Sequence, residues 1–339
     1  MKFTSCGSAV LLTVAAALIM GQSTSHKHMA VEFRALSLGN SAAVTSLQLV
    51  EANRASLLYS TSSGPLKSHL SAAHLNSSPL QIEPLGSLSR LPEQPAWDAA
   101  AAEGGAFSVV TTQSGSAICA LSIRNTRRGE SSKVNRRDGL GVFGSPHFVK
   151  GDSGPISSVA QVDGETEIVL FPLEADGGYG KYRKLETRID GVVEDARLVR
   201  SGKDVLLFAK VMAIGSSMSA RREASGEVIY PGVLHYVSLD GNLHSADLPS
   251  LPLGRQLILD FDVCAWGDGI AVFAATPKGY LLATGKLIDG VFASGSWMDQ
   301  PYPSPLGSPT ILAAGSKLYL AALESIGTPA ARVVVGELP

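Results

Sequence analysis

An all-β fold of repeated four-stranded units is what this sequence of 339 residues predicts. Charged residues make up 17% of the chain, below the roughly 25% of an average globular protein, which disfavours long solvated helices. Thirty-five glycines and 18 prolines supply the many turns that short strands need. The third observation is a recurrence. Brief apolar, β-rich runs, each following a small polar turn, return six times along the chain.

The N-terminus is of a different kind. Lys2 is followed by an uncharged stretch whose apolar centre spans 9–20, and then by small and polar residues over 21–25. That is the anatomy of a signal peptide, expected over 1–23, with 24–29 as a flexible lead into a folded domain over 30–339. The apolar centre falls short of the about 20 residues that cross a bilayer. Export to the periplasm or the exterior, without stable membrane insertion of the mature chain, is therefore expected; a retained anchor is the alternative. Cys6 precedes the apolar centre and is badly placed for lipid modification. The remaining Cys119 and Cys264 fall in different units and are expected as buried free thiols, so no disulfide framework is implied.

The recurrent runs are SLLYS (56–60), FSVVT (107–111), IVLF (168–171), VLLFA (205–209), IAVFA (270–274) and LYLAA (318–322). Measured from Leu57, Phe107, Ile168, Val205, Ile270 and Leu318, their spacings are 50, 61, 37, 65 and 48 residues. Four short strands with their turns need roughly 40 to 50 residues. A candidate strand precedes each run, at 44–50, 96–102, 156–162, 192–200, 257–265 and 309–314. A third follows, clearest at 117–123, 233–239 and 280–287. The sixth unit ends after three strands, the last ARVVVGEL (331–338), and VEFRALSL (31–38) is available to complete it. Leaving that place empty would expose a sheet edge.

Across about residues 30–339 the chain resembles the β-propeller superfamily in architecture. The resemblance implies six blades of four antiparallel strands, closed by the N-terminal strand joining the last blade. Two stretches interrupt the pattern and read as exposed loops. One is RNTRRGESSKVNRRD (124–138), with Arg124, Arg127, Arg128, Lys133, Arg136 and Arg137 against few acids; the other is a Ser-rich insertion over 212–230. The basic loop is suited to phosphate, sulfated glycan or an acidic partner.

A propeller meets ligands at its top, where the innermost strands begin. Aligning the units places Asp98, His147, Asp195, Arg197, Asp260 and Asp262 around that entrance. The function expected is an exported, non-catalytic propeller that binds a protein partner, a glycan or a small ligand there. A glycoside hydrolase using paired channel carboxylates is one alternative. Another rests on GDSGP (151–155), which resembles the GDSGGP loop of trypsin-like serine proteases with one glycine missing, and on AAH (72–74), which resembles the segment bearing their general base. That resemblance implies Ser153 as nucleophile, His74 as base, and the N–H groups of Gly151 and Ser153 as oxyanion donors. In the propeller reading the two are expected at opposite ends, Ser153 on top and His74 near the bottom.

The net charge of −2 gives no footprint for nucleic acid. The histidines lack metal-ligand spacing, and no phosphate-cradling loop precedes a helix, so neither a metal nor another cofactor is expected. Trp97 and Trp266 read as core, and the mature protein is expected as a monomer.

Overall fold

A computed structural model describes residues 31–38, 44–62, 67–89, 97–115, 118–126, 131–135, 142–151, 154–162, 165–175, 178–187, 189–212, 221–222, 228–229, 231–240, 243, 250–288, 291–325 and 331–339. The expected signal segment and residues 24–29 lie outside these. The described chain opens on a short strand, β1 (Arg34–Ala35). A first sheet follows, built in order from β2 (Val44–Glu51), β3 (Ala55–Ser62), β4 (Lys67–His74) and β5 (Gln81–Ser89). The second is β6 (Trp97–Ala101), β7 (Phe107–Gly115), β8 (Ile118–Asn125) and β9 (Ser131–Asn135). The third is β10 (Val142–Phe148), β11 (Ile156–Val162), β12 (Glu165–Phe171) and the short β13 (Arg183–Lys184).

The fourth sheet begins with β14 (Val193–Ser201) and β15 (Asp204–Met212). A separate two-stranded ribbon, β16 (Arg221–Arg222) with β17 (Val228–Ile229), intervenes before β18 (Gly232–Leu239) and β19 (Leu251–Ile258) complete that sheet. The fifth is β20 (Asp260–Trp266), β21 (Gly269–Thr276), β22 (Gly279–Ile288) and β23 (Val291–Pro301). In the last, β24 (Leu306–Ala314), β25 (Lys317–Glu324) and β26 (Arg332–Leu338) run in order, and β1 lies outside β26 with Arg34 opposite Val335 and Ala35 opposite Val334.

Within each four-stranded sheet the neighbours are antiparallel, as short turns between consecutive strands require. The first strands touch in sequence, β2 with β6, β6 with β10, β10 with β14, β14 with β20, β20 with β24, and β24 with β2. This is a β-propeller arrangement. In five of the six sheets the second strand carries the recurrent run, because it is covered on both faces and alternation gives way to continuous apolar sequence. In β15, Val205, Leu206, Leu207, Phe208 and Ala209 are all fully buried. Seams between sheets are apolar: Leu198 and Leu207 pack with Val159 and Leu170, and Phe261 and Val272 pack with Val199 and Phe208. One seam also carries main-chain bonds. Lys150 N donates to Leu198 O at 2.9 Å and Arg200 N to Lys150 O at 2.8 Å, a parallel bridge between the third and fourth sheets. Gly151, at φ 76°, permits the approach, since a Cβ there would stand 2.5 Å from Arg200 O.

The third unit departs from the sequence expectation. Its innermost strand is β10, so the segment 156–162, expected innermost, is the second strand, and the run IVLF lies in the third. With Ile156 in place of Ile168 the spacing becomes 49 residues on each side, from Phe107 and to Val205. The run was misleading because its four residues are as buried as those of a second strand: Val169 and Phe171 pack with Tyr179 and Tyr182 on one face, and Ile168 and Leu170 with Leu198 and Leu207 on the other. The basic segment also differs from an open loop. Ser131–Asn135 is the outer strand β9, where polar and charged residues suit a sheet edge; Arg124 lies in the last two residues of β8, and Arg127, Arg128, Arg136 and Arg137 lie outside the described residues. Part of the Ser-rich insertion forms the β16–β17 ribbon. Among the described residues no helix is long and apolar enough to cross a membrane.

Candidate functional site

The innermost strands share one axial position, defined by how each meets its neighbour. Asp98 Oδ2 accepts Phe148 N at 2.8 Å, Asp262 Oδ2 accepts Ile311 N at 3.0 Å, and Thr310 Oγ1 accepts Leu49 N at 2.8 Å. In each case a polar side chain receives the main-chain N–H just past the equivalent residue of the next strand. The series is therefore Gln48, Asp98, His147, Arg197, Asp262 and Thr310, and all of these are buried. A short distance towards the strand starts, β2, β10, β14 and β24 each slip register against their second strands, at 44–46, 143–146, 193–195 and 307–310. Bulges turn side chains out of the sheet and are frequent beside functional sites. Their common level marks the mouth of the ring.

The six residues expected at this entrance come together in one ionic network. His147 Nε2 lies 2.8 Å from Asp195 Oδ1, and His147 Nδ1 lies 3.8 Å from Asp98 Oδ2. Arg197 reaches Asp195 Oδ2 at 3.3 Å through Nε, Asp262 Oδ1 at 2.8 Å and Asp260 Oδ1 at 3.5 Å, with its guanidinium 5.2 Å from the centre of the Phe261 ring. Sequence reasoning missed Lys150, 3.6 Å from Asp98 Oδ1, and Lys210, which binds Glu194 Oε2 at 2.9 Å and Leu259 O at 2.8 Å. It also missed Thr310 and Gln48, which carry no charge to mark them within their strands.

Burial would raise the carboxyl of Asp195, but His147 and Arg197 overcome it and hold the group well below the usual carboxylate range. Asp262 is likewise held low, against burial, by Lys150, Arg197 and the N–H groups of Ile311 and Val263. Asp260 goes the other way: burial outweighs Arg197, and neighbouring Asp195 adds to the rise. For Arg197 burial is overcome by Asp195, Asp262, Asp260 and Asp98, which keep the guanidinium charged. Asp98 and Asp262 are inaccessible, whereas the side chains of Asp195 and Asp260 keep 13% and 23% of their surface in contact with solvent.

Among the described residues, two axial nitrogens, Gln48 Nε2 and His147 Nδ1, are buried without a hydrogen-bond partner. So is Trp97 Nε1. Its ring packs in the seam between the first two sheets with Leu58, the cross-strand neighbour of Gln48. Trp266 packs against the core between the fifth and last sheets. Cys264 is a buried free thiol that burial pushes well above its ordinary value, which makes it inert. Cys119 lies in β8.

The protease-like residues fall elsewhere. The turn at 151–155 joins β10 to β11, which puts it at the end opposite the mouth instead of on top, a consequence of β10 being innermost. His74 closes β4 at that same end. Ser153 lies outside the described residues. Both nitrogens of His74 are engaged, Nδ1 with Ser56 Oγ at 2.9 Å and Nε2 with Glu83 Oε2 at 3.4 Å, and the ring is buried. Beside Ser153, Tyr179 donates to Gly154 O at 3.0 Å, and burial pushes its phenol up to about 12. A separate cleft of about 390 Å³ lies beside β1 and β26, lined by Glu32, Arg34, Leu75, Tyr319 and residues 335–337. Among the described residues no group of His, Cys, Asp and Glu is arranged to hold a metal ion.

No family model matches the chain, and no curated protein matches it. Its structure is similar to that of the GH93 alpha-L-arabinofuranosidase of Fusarium graminearum, solved with arabinobiose, at a TM-score of 0.62 and 10% identity, covering 87% of this chain and 92% of that one. It is also similar to TolB from Acinetobacter baumannii, at a TM-score of 0.43 and 11% identity over 87% and 54% of the two chains. At these identities the likeness is one of fold.

Proposed function

We propose that this protein is an exported, non-catalytic β-propeller that binds a small hydrophilic ligand, a glycan end in the first instance, at the mouth formed by the fourth and fifth sheets. Each four-stranded sheet is read as one blade, six in all, with β1 as the closing strand; the circuit of contacts among the first strands and the β1–β26 pairing support this. The signal-peptide anatomy of the first 23 residues supports export.

The observation that carries the binding reading is the one partly open place in an otherwise closed network. Asp195 and Asp260 reach solvent at a level where four of the first strands bulge. Carboxylates so placed accept hydrogen bonds from ligand hydroxyls. Catalysis is disfavoured because glycoside hydrolysis needs two available carboxyl groups flanking the bond. Here the oxygens of Asp98 and Asp262 are taken by main-chain N–H groups and cations, and Asp195 is held by His147, Ala196 N and Arg197. Of these four aspartates only Asp260 keeps an oxygen, Oδ2, without a hydrogen-bond partner among the described residues.

One observation favours a glycoside hydrolase as the second reading. The acidities of Asp195 and Asp260 are driven in opposite directions, as those of paired carboxyl groups are in such enzymes. The fold likeness to an arabinofuranosidase solved with arabinobiose points the same way. A glycan array followed by an arabinofuranoside hydrolysis assay separates the two. The binding reading expects capture of a glycan, weakened by Asp195→Asn, with no turnover. Turnover abolished by Asp260→Asn establishes the hydrolase, and an array on which nothing is retained removes the glycan reading.

A further inference from the structure

At the level of the axial residues, five of the six seams between sheets are crossed by a polar bond. Phe148 N donates to Asp98 between the second and third sheets, and His147 meets Asp195 at 2.8 Å between the third and fourth. Arg197 Nη1 donates to Asp262 at 2.8 Å between the fourth and fifth, and Thr310 Oγ1 donates to Asp262 at 3.0 Å between the fifth and the last. Leu49 N returns the circuit to the first sheet by donating to Thr310 Oγ1 at 2.8 Å. The seam between the first and second sheets breaks it. By the pattern of the other strands Gln48 would accept Ala99 N, but that N–H donates at 2.8 Å to Asp98 Oδ1 on its own strand. Gln48 Nε2 on one side of this seam and Trp97 Nε1 on the other are buried with no partner among the described residues. Apolar contact joins the two sheets here, Val50 and Leu58 packing with Trp97 and Ala99.

We propose that the ring opens and closes at this seam, a gate that widens the mouth on the side opposite the ionic network. Parting any other seam at this level breaks a buried polar bond and strips its groups of their partners, a penalty added to that of wetting apolar surface. Parting the first sheet from the second breaks none, and it gives water to two buried N–H groups that lack an acceptor. In the circuit of first-strand contacts this seam stands directly across from the one between the fourth and fifth sheets. There Arg197 meets Asp260 as well as Asp262, and Ser201 Oγ donates to Gly269 O at 3.1 Å. The firm joint thus lies opposite the gate, where a hinge is needed. The gate follows from the fold alone and does not depend on what the mouth binds.

Native-state hydrogen exchange of the isotopically labelled mature chain, followed by NMR, is the first test. The Trp97 indole N–H, identified by its loss in Trp97→Phe, reports the gate; the main-chain N–H groups of Leu49, Phe148 and Ile311 report bonded seams. Relative to intrinsic rates, the indole is expected to exchange at least about tenfold faster than those three. Thiol labelling of two matched variants is the second test. Ala99 and Ala196 are both buried on first strands, and each donates its N–H to the aspartate before it. Ala99 faces the gate, whereas Ala196 faces the seam between the third and fourth sheets. Ala99→Cys is expected to be modified at least about tenfold faster than Ala196→Cys, with each site read by peptide mass. An indole no faster than the three amides overturns the gate. Equal rates at the two cysteines overturn it as well, even beside a fast indole, since the motion is then confined to the start of β6.

Discussion

Asp262 and Gln48 occupy equivalent axial positions and carry opposite energetic signs. The Asp262 carboxylate receives Val263 N and Arg197 on one oxygen, and Thr310 Oγ1 and Ile311 N on the other, all between 2.8 and 3.0 Å. Asp262→Ala takes from the buried Arg197 its 2.8 Å partner and leaves the N–H groups of Ile311 and Val263 without their acceptor, and is expected to cost about 3–5 kcal/mol in urea unfolding. Gln48 presents a buried amide N–H with no acceptor. Gln48→Leu removes a buried donor that has no acceptor among the described residues, and is expected to leave stability unchanged or raise it by about 1 kcal/mol. A large loss in that variant would mean that the amide is bonded in solution. These roles were only half legible in the sequence. Asp98, Asp195, Arg197 and Asp262 stood out as charges within apolar strands, whereas a glutamine in SLQLV and a threonine in SPTIL look like ordinary strand residues.

At the scale of elements, β1 contributes little hydrogen bonding, and its anchorage comes from the residues before it. Phe33 lies 5.3 Å from Tyr280, 5.7 Å from Tyr302 and 6.2 Å from Phe273, ring centre to ring centre, and Val31 is buried in the same cluster. Phe33→Ala is expected to cost about 3 kcal/mol in urea unfolding, near the lower end for losing a packed aromatic ring. A loss under about 0.5 kcal/mol, within the range of an ordinary surface change, would show that the N-terminal segment does not hold the ring. Most strands were legible because a run covered on both faces cannot alternate. The third unit was misread for the same reason, since depth of burial does not tell a second strand from a third. Short outer strands such as β13 carry two residues and no periodicity, so no local signal marks them.

For the molecule as a whole, the network sets the response to acid. Asp195 and Asp262 are held below their ordinary values, so the unfolded chain takes up their protons first as pH falls. Their contribution is complete above the ordinary carboxylate range and is lost as pH drops below about 4. Asp260 is raised, so its ionisation weakens the fold as pH climbs through its native value. Urea midpoints measured from acid to neutral pH are expected to fall steeply below about pH 4. Asp260→Asn is expected to remove the opposing drift, and a flat profile in the wild type would mean that the network is not closed in solution. The ring of charges was foreseeable as a set of residues at one entrance. Which of them is spent and which is open depends on partners such as Ile311 N and Leu259 O, and no side-chain pattern announces a main-chain partner.

The bridge through Lys150 makes the joint between the third and fourth sheets unlike seams held by side chains alone. Apolar faces can slide or part by degrees, but a main-chain bridge is either intact or broken. Those two sheets should therefore respond to mechanical load as one piece, with any breach starting at another joint. The amide protons of Lys150 and Arg200 should then be among the last in the molecule to exchange with deuterated solvent.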